Sequence, residues 1–191
     1  MEAGEKMTPR QALLYAKQNP NLRQNVWKYV QSSDIALQWA ILFPEDKDIM
    51  RDRINESRWA YRWALKWPED RDIMRDRINE DYWVLRWAIE WPKDREIMRE
   101  RIVDSYWAFQ WAVWWPGDKP IMREKVQEPE AVFLWVKRWP EDKHIMRNHI
   151  KDPMWAFLWL VDMGPDPEIL EICKKDKEIY NKALELILHT E

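Results

Sequence analysis

The sequence predicts an all-α fold, an α-solenoid of about seven tandem 24-residue repeats that each form two short helices. Three observations predict it. Proline recurs every 24 residues, at Pro20, Pro44, Pro68, Pro92, Pro116 and Pro140, and from Pro44 to Met163 the chain repeats nearly one sentence. Exceptions within the copies put Pro directly after a capping residue at two offsets, which marks two helix starts per copy. Trp, with 16 copies in the chain, recurs every fourth residue inside the repeats. Self-similarity at such a period signals one small unit stacked on copies of itself.

With the proline as position 1, the repeat reads Pro-Glu-Asp-Lys/Arg-x-Ile-Met-Arg-x-Arg-Ile-x-Glu/Asp-x-x-Trp-Ala-x-x-Trp-Ala-x-x-Trp, as from Pro68 to Trp91. Residues 1–43 hold a half-repeat from Thr8 to Asn19 and a divergent copy from Pro20, and are expected to form an N-terminal cap. Five regular repeats fill residues 44–163. The first helix of each is expected over positions 4 to 12, with the Asp of position 3 (Asp46, Asp70, Asp94, Asp118, Asp142, Asp166) as N-cap. The sign of this is Asp166-Pro167, since Pro at the first helical position has no N–H to lose and Asp accepts from an orphan one. Thr8-Pro9, Glu128-Pro129 and Asp152-Pro153 mark the second helix in the same way, over positions 14 to 24. The next proline, with its restraint on the residue before it, ends that helix. From Gly164 the Trp vanish and Lys174, Lys175 and Lys182 appear, so residues 164–191 read as a C-terminal cap with a wet outer face.

On a helical wheel the Trp of positions 16, 20 and 24 fall on one side of the second helix, beside small residues at 17 and 21. Apolar residues at 18 and 22, such as Leu85 and Ile89, are expected to widen the buried arc to about 240°. The first helix is apolar at 6, 7 and 11 (Ile73, Met74, Ile78) and is expected to rest on the second as an outer layer. Neither helix is long enough to be stable alone, because isolated helices under ~12 residues are marginal in water. Burial of the Trp side chains, about 200 Å² each, is expected to supply the stability.

A leucine-rich repeat would suit the period, but no Leu-x-x-Leu-x-Leu-x-x-Asn segment occurs. The Asn19-Pro20 and Trp-Pro junctions, the Asp-Pro helix starts and apolar pairs such as Ile49-Met50 resemble the leucine-rich repeat variant family, a 24-residue repeat of two short helices. Asp34-Ile-Ala-Leu-Gln-Trp-Ala is similar to the Ala-Leu-Gln-aromatic repeats of proteins of unknown function from giant viruses and intracellular bacteria. The resemblance runs from about Thr8 to Ile187 and implies an all-helical, HEAT-like solenoid. It transfers no catalytic residue.

Composition narrows the function classes. Lys and Arg number 31 against 34 Asp and Glu, a formal charge of −3, so there is no global positive field to attract nucleic acid or an anionic membrane. No stretch approaches the roughly 20 apolar residues of a membrane span, and no membrane association is expected. The lone Cys173 leaves no internal disulfide and suits a reducing compartment, which makes cytoplasmic the expected location. His144 and His149 are five apart, a poor spacing for a shared metal, and no cofactor is expected. Without a nucleophile elbow, a glycine-rich phosphate loop or a His/Asp/Ser set, no enzymatic activity is expected.

Two patterns remain as candidates for function. Positions 15, 19 and 23 share the remaining face of the second helix and vary while the framework stays constant. From them, Arg58, Arg62, Tyr82, Arg86, Tyr106, Gln110, Trp114, Leu134, Arg138 and Leu158 are the candidate partner-binding residues, with Lys66, Glu90, Glu130, Met154 and Asp162 completing the stripe. A constant frame with one variable stripe is how a repeat protein presents a recognition face, and Tyr, Trp and Arg are enriched at hot spots. The alternative is drift of an exposed surface. The Arg of position 8 (Arg51, Arg75, Arg99, Arg123, Arg147) forms the second pattern, a basic ladder that with position 10 could track phosphates. Interleaved acids at positions 5 and 9, such as Asp48 and Asp52, read it instead as an ion-pair lattice. The Trp rows could likewise stack bases, although their spacing on the buried side favours core. The expected function is a non-enzymatic scaffold for a protein partner. The rivals are a nucleic-acid-binding solenoid and a structural, self-assembling or engineered array.

Overall fold

The computed structural model describes residues 7–188; the outermost parts of the two expected caps, 1–6 and 189–191, lie outside the described residues. All regular structure among the described residues is helical, in short helices packed in regular tandem order. The chain groups into two compact units, Met1–Arg101 and Ile102–Glu191. The first contains α1 (Pro9–Gln18), a 3₁₀ helix Pro20–Tyr29, α2 (Ser33–Leu42), α3 (Lys47–Arg51), α4 (Ser57–Lys66), α5 (Arg71–Arg75), α6 (Asp81–Glu90) and α7 (Arg95–Arg101). The second contains α8 (Ser105–Trp114), α9 (Lys119–Lys125), α10 (Pro129–Arg138), α11 (Lys143–Met146), α12 (Pro153–Met163), α13 (Pro167–Cys173) and α14 (Lys177–Leu188). Within the first unit α2, α4 and α6 each pack on the short helix that follows, and consecutive long helices touch. Within the second unit α8 packs on α9 and α10, and α12 packs on α13 and α14.

Helix α1 begins at Pro9, α10 at Pro129 and α12 at Pro153, the starts that the Pro substitutions predict. Thr8 completes a capping box: its hydroxyl accepts from the Gln11 N–H at 3.3 Å, and Gln11 Oε1 accepts from the Thr8 N–H at 2.7 Å. Asp152 accepts from the N–H groups of Met154 and Trp155 at 2.9 and 3.3 Å. The long helices end as Pro requires. Trp67, at φ −128° and ψ 84°, lies in the extended region forced on a residue before proline. Its N–H closes α4 on the Trp63 carbonyl at 2.8 Å, and its own carbonyl accepts from the Asp70 N–H at 3.0 Å, opening a 3₁₀ turn over Pro68–Asp70.

That turn corrects the expected role of the position-3 aspartates. Asp46, Asp70, Asp118 and Asp142 make no side-chain cap, because backbone hydrogen bonds of the 3₁₀ turn already start the short helix. Asp166, followed by Pro167, caps as predicted, accepting from the Glu168 and Ile169 N–H groups at 3.1 and 3.4 Å. The short helices are also briefer than the expected nine residues; α3 and α5 have five each.

The core of each unit is built from fixed rows. Trp39, Trp63 and Trp87 of the first unit, and Trp111, Trp135 and Trp159 of the second, are 0 % exposed. The Met row (Met50, Met74, Met98; Met122, Met146) is also fully buried. Within each unit, aromatic residues of position 18 plug one repeat into the next. Tyr61 lies 5.4, 6.5 and 5.6 Å from the rings of Trp83, Trp87 and Trp91, and Phe133 lies 5.6 Å from both Trp155 and Trp159. Two expected core rows are on the surface instead. Ile41, Leu65, Val113 and Val161 of position 22 are exposed, with Ile89 half-buried, and Ile49, Ile73, Ile97 and Ile121 of position 6 are exposed, with Ile145 half-buried. At about 100° per residue, position 22 stands only about 20° from position 15, so it lies on the solvent side with the variable stripe. The Trp of positions 16 and 24 are half-buried, at the margins of that arc.

Candidate interaction surface

Positions 15, 19, 22 and 23 of the long helices therefore form one solvent-facing strip in each unit. In the first unit it carries Ile41, Leu42, Arg58, Arg62, Leu65, Lys66, Tyr82 and Arg86, all exposed. Arg58 and Arg62 place their guanidinium carbons 5.1 and 4.9 Å from the Trp59 ring centroid, which fixes two mobile cations over an aromatic face. Tyr82 sets its ring edge-on to Trp83 at 4.8 Å. In the second unit the strip is richer in apolar residues, beside the charged Lys137, Arg138 and Asp162. Tyr106, Val113, Leu134, Leu158 and Val161 are exposed, Met154 is 52 % and Trp114 57 % exposed, and Gln110 is half-buried. Arg138 lies over Trp139 at 5.9 Å. Thus nine of the ten candidate binding residues are exposed and Gln110 partly so. The wheel misassigned the adjoining apolar row of position 22 to the core.

The basic ladder is placed differently. Asp70, buried, accepts from Trp63 Nε1 at 2.9 Å, Lys47 Nζ at 3.0 Å and Arg51 Nη1 at 3.1 Å. Asp142 repeats the arrangement with Trp135, Lys119 and Arg123 at 2.8, 3.1 and 3.1 Å. Asp94 takes Trp87 at 2.9 Å and Arg75 at 3.3 Å, and Asp46 takes Trp39 at 2.9 Å and Arg23 at 2.8 Å. Arg147 reaches Asp166 at 3.3 Å, and Arg99 meets Glu100 at 3.1 Å. Burial alone would push the Asp70 carboxyl up. The hydrogen bonds from Trp63, Lys47 and Arg51 outweigh burial and hold Asp70 below the ordinary carboxylate range. Asp142 is depressed for the same reasons, burial being opposed by Trp135 and Lys119. The ladder arginines Arg51, Arg75, Arg123 and Arg147 thus each bind an aspartate of the following copy, with Arg99 on its neighbour Glu100.

Position 10 is equally committed. Arg53 donates to the Val30 carbonyl at 2.5 Å, Arg101 to the Ile78 carbonyl at 2.9 Å and Lys125 to the Ile102 carbonyl at 2.8 Å, each satisfying an orphan carbonyl of the preceding copy. Position 14 adds a link that the sequence pattern did not reveal. The buried Ser57 hydroxyl donates to Asn79 Oδ1 at 2.7 Å and accepts from the Asn79 and Glu80 N–H groups at 3.0 and 3.2 Å.

Among the described residues no three His, Cys, Asp or Glu side chains converge as a metal set, and no helix is long and apolar enough to cross a membrane. No protein-family model matches the chain. No curated protein and no solved structure matches it either.

Proposed function

We propose that the chain is a non-enzymatic helical-repeat scaffold, a solenoid of HEAT-like two-helix units, that binds another protein through the exposed strip of its long helices. One observation carries this reading: rows 17, 20 and 21 hold a nearly constant buried framework while the exposed rows 15, 19 and 23 change from Arg58, Arg62 and Lys66 to Met154, Leu158 and Asp162. Exposed Trp, Tyr, Leu and Met in one strip are the residue types of a protein interface. The pairing of the Arg ladder with buried carboxylates supports the lattice reading over phosphate tracking, since these cations already have partners. The same contacts explain the perturbed carboxylates as structural, without a catalytic task. The buried thiol of Cys173 suits a reducing, cytoplasmic setting.

A photoreactive residue at Leu158 or Tyr106, introduced into the chain in its native host, is expected to yield discrete protein adducts. The same probe at Asp72 or Glu96, on the outer helices, is expected to yield none. Equal labelling from both faces, or adducts that are nucleic acid, would defeat the proposal. Light scattering separates it from self-assembly: a mass rising above 23.6 kDa with concentration, and falling back in Trp114→Ala, would give the face to a second copy.

A further inference from the structure

The lattice of alternating charge breaks at one place. In the first two regular copies the short-helix segment reads Lys47-Asp-Ile-Met-Arg-Asp-Arg-Ile-Asn55 and Arg71-Asp-Ile-Met-Arg-Asp-Arg-Ile-Asn79, and the next two keep Glu100 and Glu124. The last regular copy reads Lys143-His-Ile-Met-Arg-Asn-His-Ile-Lys151, with no carboxylate. Asn148 stands where Asp52, Asp76, Glu100 and Glu124 stand, and Lys151 stands where Asn55, Asn79, Val103 and Gln127 stand. The following copy continues the change, with Ile172 for the acid and Lys175 at the register of Lys151. Earlier acids of this row neutralise a cation of the next copy: Asp52 lies 3.8 Å from Arg77 and Asp76 3.3 Å from Arg101.

These departures surround one cleft in the second unit. It has a volume of about 270 Å³ and is lined by Arg147, Asn148, Lys151, Glu168, Ile172 and Lys175, among others. Its single carboxylate, Glu168, is already held by Arg147 Nη2 at 2.5 Å. Arg147 Nε is buried and has no hydrogen-bond partner. Lys175 Nζ reaches only the Lys151 carbonyl, at 3.4 Å, and the Lys151 ammonium meets no carboxylate among the described residues. Two ammonium groups without counter-ions beside a neutral amide and a concave wall form a pocket with excess positive charge. Burial, and then the charge of Lys151, holds the His149 imidazole below its ordinary value, so it adds no charge at neutral pH.

We propose that this cleft is an anion site for a phosphate group, with Lys151 and Lys175 as its counter-charges and the Asn148 amide as a neutral hydrogen-bond donor. Lysine ammonium groups suit a phosphate as point charges, and a cleft with excess positive charge concentrates their field. The site is independent of the long-helix strip. Its discriminating variant is Asn148→Asp, which restores the acid of the other copies and removes no cation.

Inorganic phosphate is titrated into the full chain at constant ionic strength, with amide chemical shifts as the readout. Saturable shifts are expected at residues 148–151 and 172–175. Lys151→Glu, Lys175→Glu and Asn148→Asp are each expected to weaken binding by about tenfold or more. Because all three positions are exposed, the thermal midpoint is expected to stay near that of the parent, and Lys151→Gln with Lys175→Gln repeats the test with a milder change. Shifts that never saturate, or a phosphate affinity unchanged in Asn148→Asp and in the Lys variants, overturn the proposal. Vesicles of phosphatidylcholine with phosphatidic acid separate the sources. Capture abolished by Asn148→Asp assigns the group to a lipid headgroup, and phosphate binding without capture assigns it to a soluble phosphate ester; either result supports the site.

Discussion

Trp63 Nε1 donates to the Asp70 carboxylate at 2.9 Å, with both side chains buried and seven residues apart in sequence. The bond spans the end of α4 and the turn that starts α5, so it locks the angle between the two helices of neighbouring copies. Lys47 and Arg51, from the copy before, close on the same carboxylate. Asp70→Asn keeps the shape but removes the charge that three donors share. It is expected to destabilise the fold by about 2–3 kcal/mol in urea denaturation, while Glu69→Gln, on an exposed side chain, stays within about 0.5 kcal/mol.

Acid should expose the same contacts. The folded-state pKa of Asp70 and of Asp142 lies below the unfolded value, so the unfolded chain binds more protons in the interval between the two. Their contribution is fully present above the unfolded carboxylate pKa of ~3.9 and is lost as pH falls through the depressed folded values. The stability gap between the parent and the double variant Asp70→Asn, Asp142→Asn should stay constant from neutral pH to about 5 and close below about 4. A gap that widens in acid would contradict the assignment.

The C-terminal copy provides an internal control. Gly164 replaces the proline of the other junctions and closes α12 at φ +82°, which Pro could not adopt, while Asp166 turns to cap α13. Trp159 Nε1 is consequently buried without a partner. Trp→Phe removes the same ring atoms at both sites but a hydrogen bond only at Trp63. Trp63→Phe is expected to cost about 1–2 kcal/mol more than Trp159→Phe, measured by denaturation of the two single variants.

Ser57 carries a third link between copies. Ser57→Ala strands the N–H groups of Asn79 and Glu80, which now donate to its hydroxyl at 3.0 and 3.2 Å. The expected loss is about 1–3 kcal/mol, with amide hydrogen exchange accelerated more at Asn79 and Glu80 than within α6.

On the strip, Trp114→Ala, Leu134→Ser and Leu158→Ser remove exposed apolar surface and no core contact row. Each is expected to change stability by less than about 0.5 kcal/mol and to reduce protein adduct formation from a Tyr106 probe at least severalfold. A large loss of stability would place these side chains in the framework instead.

Particular residues show how far the sequence could be read. Pro9, Pro129 and Pro153 announced their helix starts because the lost N–H and the fixed φ of proline are local facts. The row from Trp39 to Trp159 and the small residues beside it marked the buried side, because spacing of four places them on one helical face. Asp70 was misread for an equally clear reason. Asp-Lys/Arg at a helix start has the same local pattern whether the carboxylate caps its own helix or turns back seven residues to an indole. Ile41 and Leu65 were misread because apolar character alone cannot tell a core row from an exposed one at the edge of the arc.

The amino-acid sequence by itself determined the 24-residue register, the two-helix unit, the buried Trp row and the variable stripe, since each follows from short-range periodicity and backbone restraint. Only the tertiary structure decided the partners of the charged residues: which carboxylate faces an indole, which Arg caps a carbonyl, and where two lysines are left without a counter-ion. The indole contact spans seven residues across a helix junction and the others about one repeat; all are set by the packing of one copy on the next, and no local pattern encodes them.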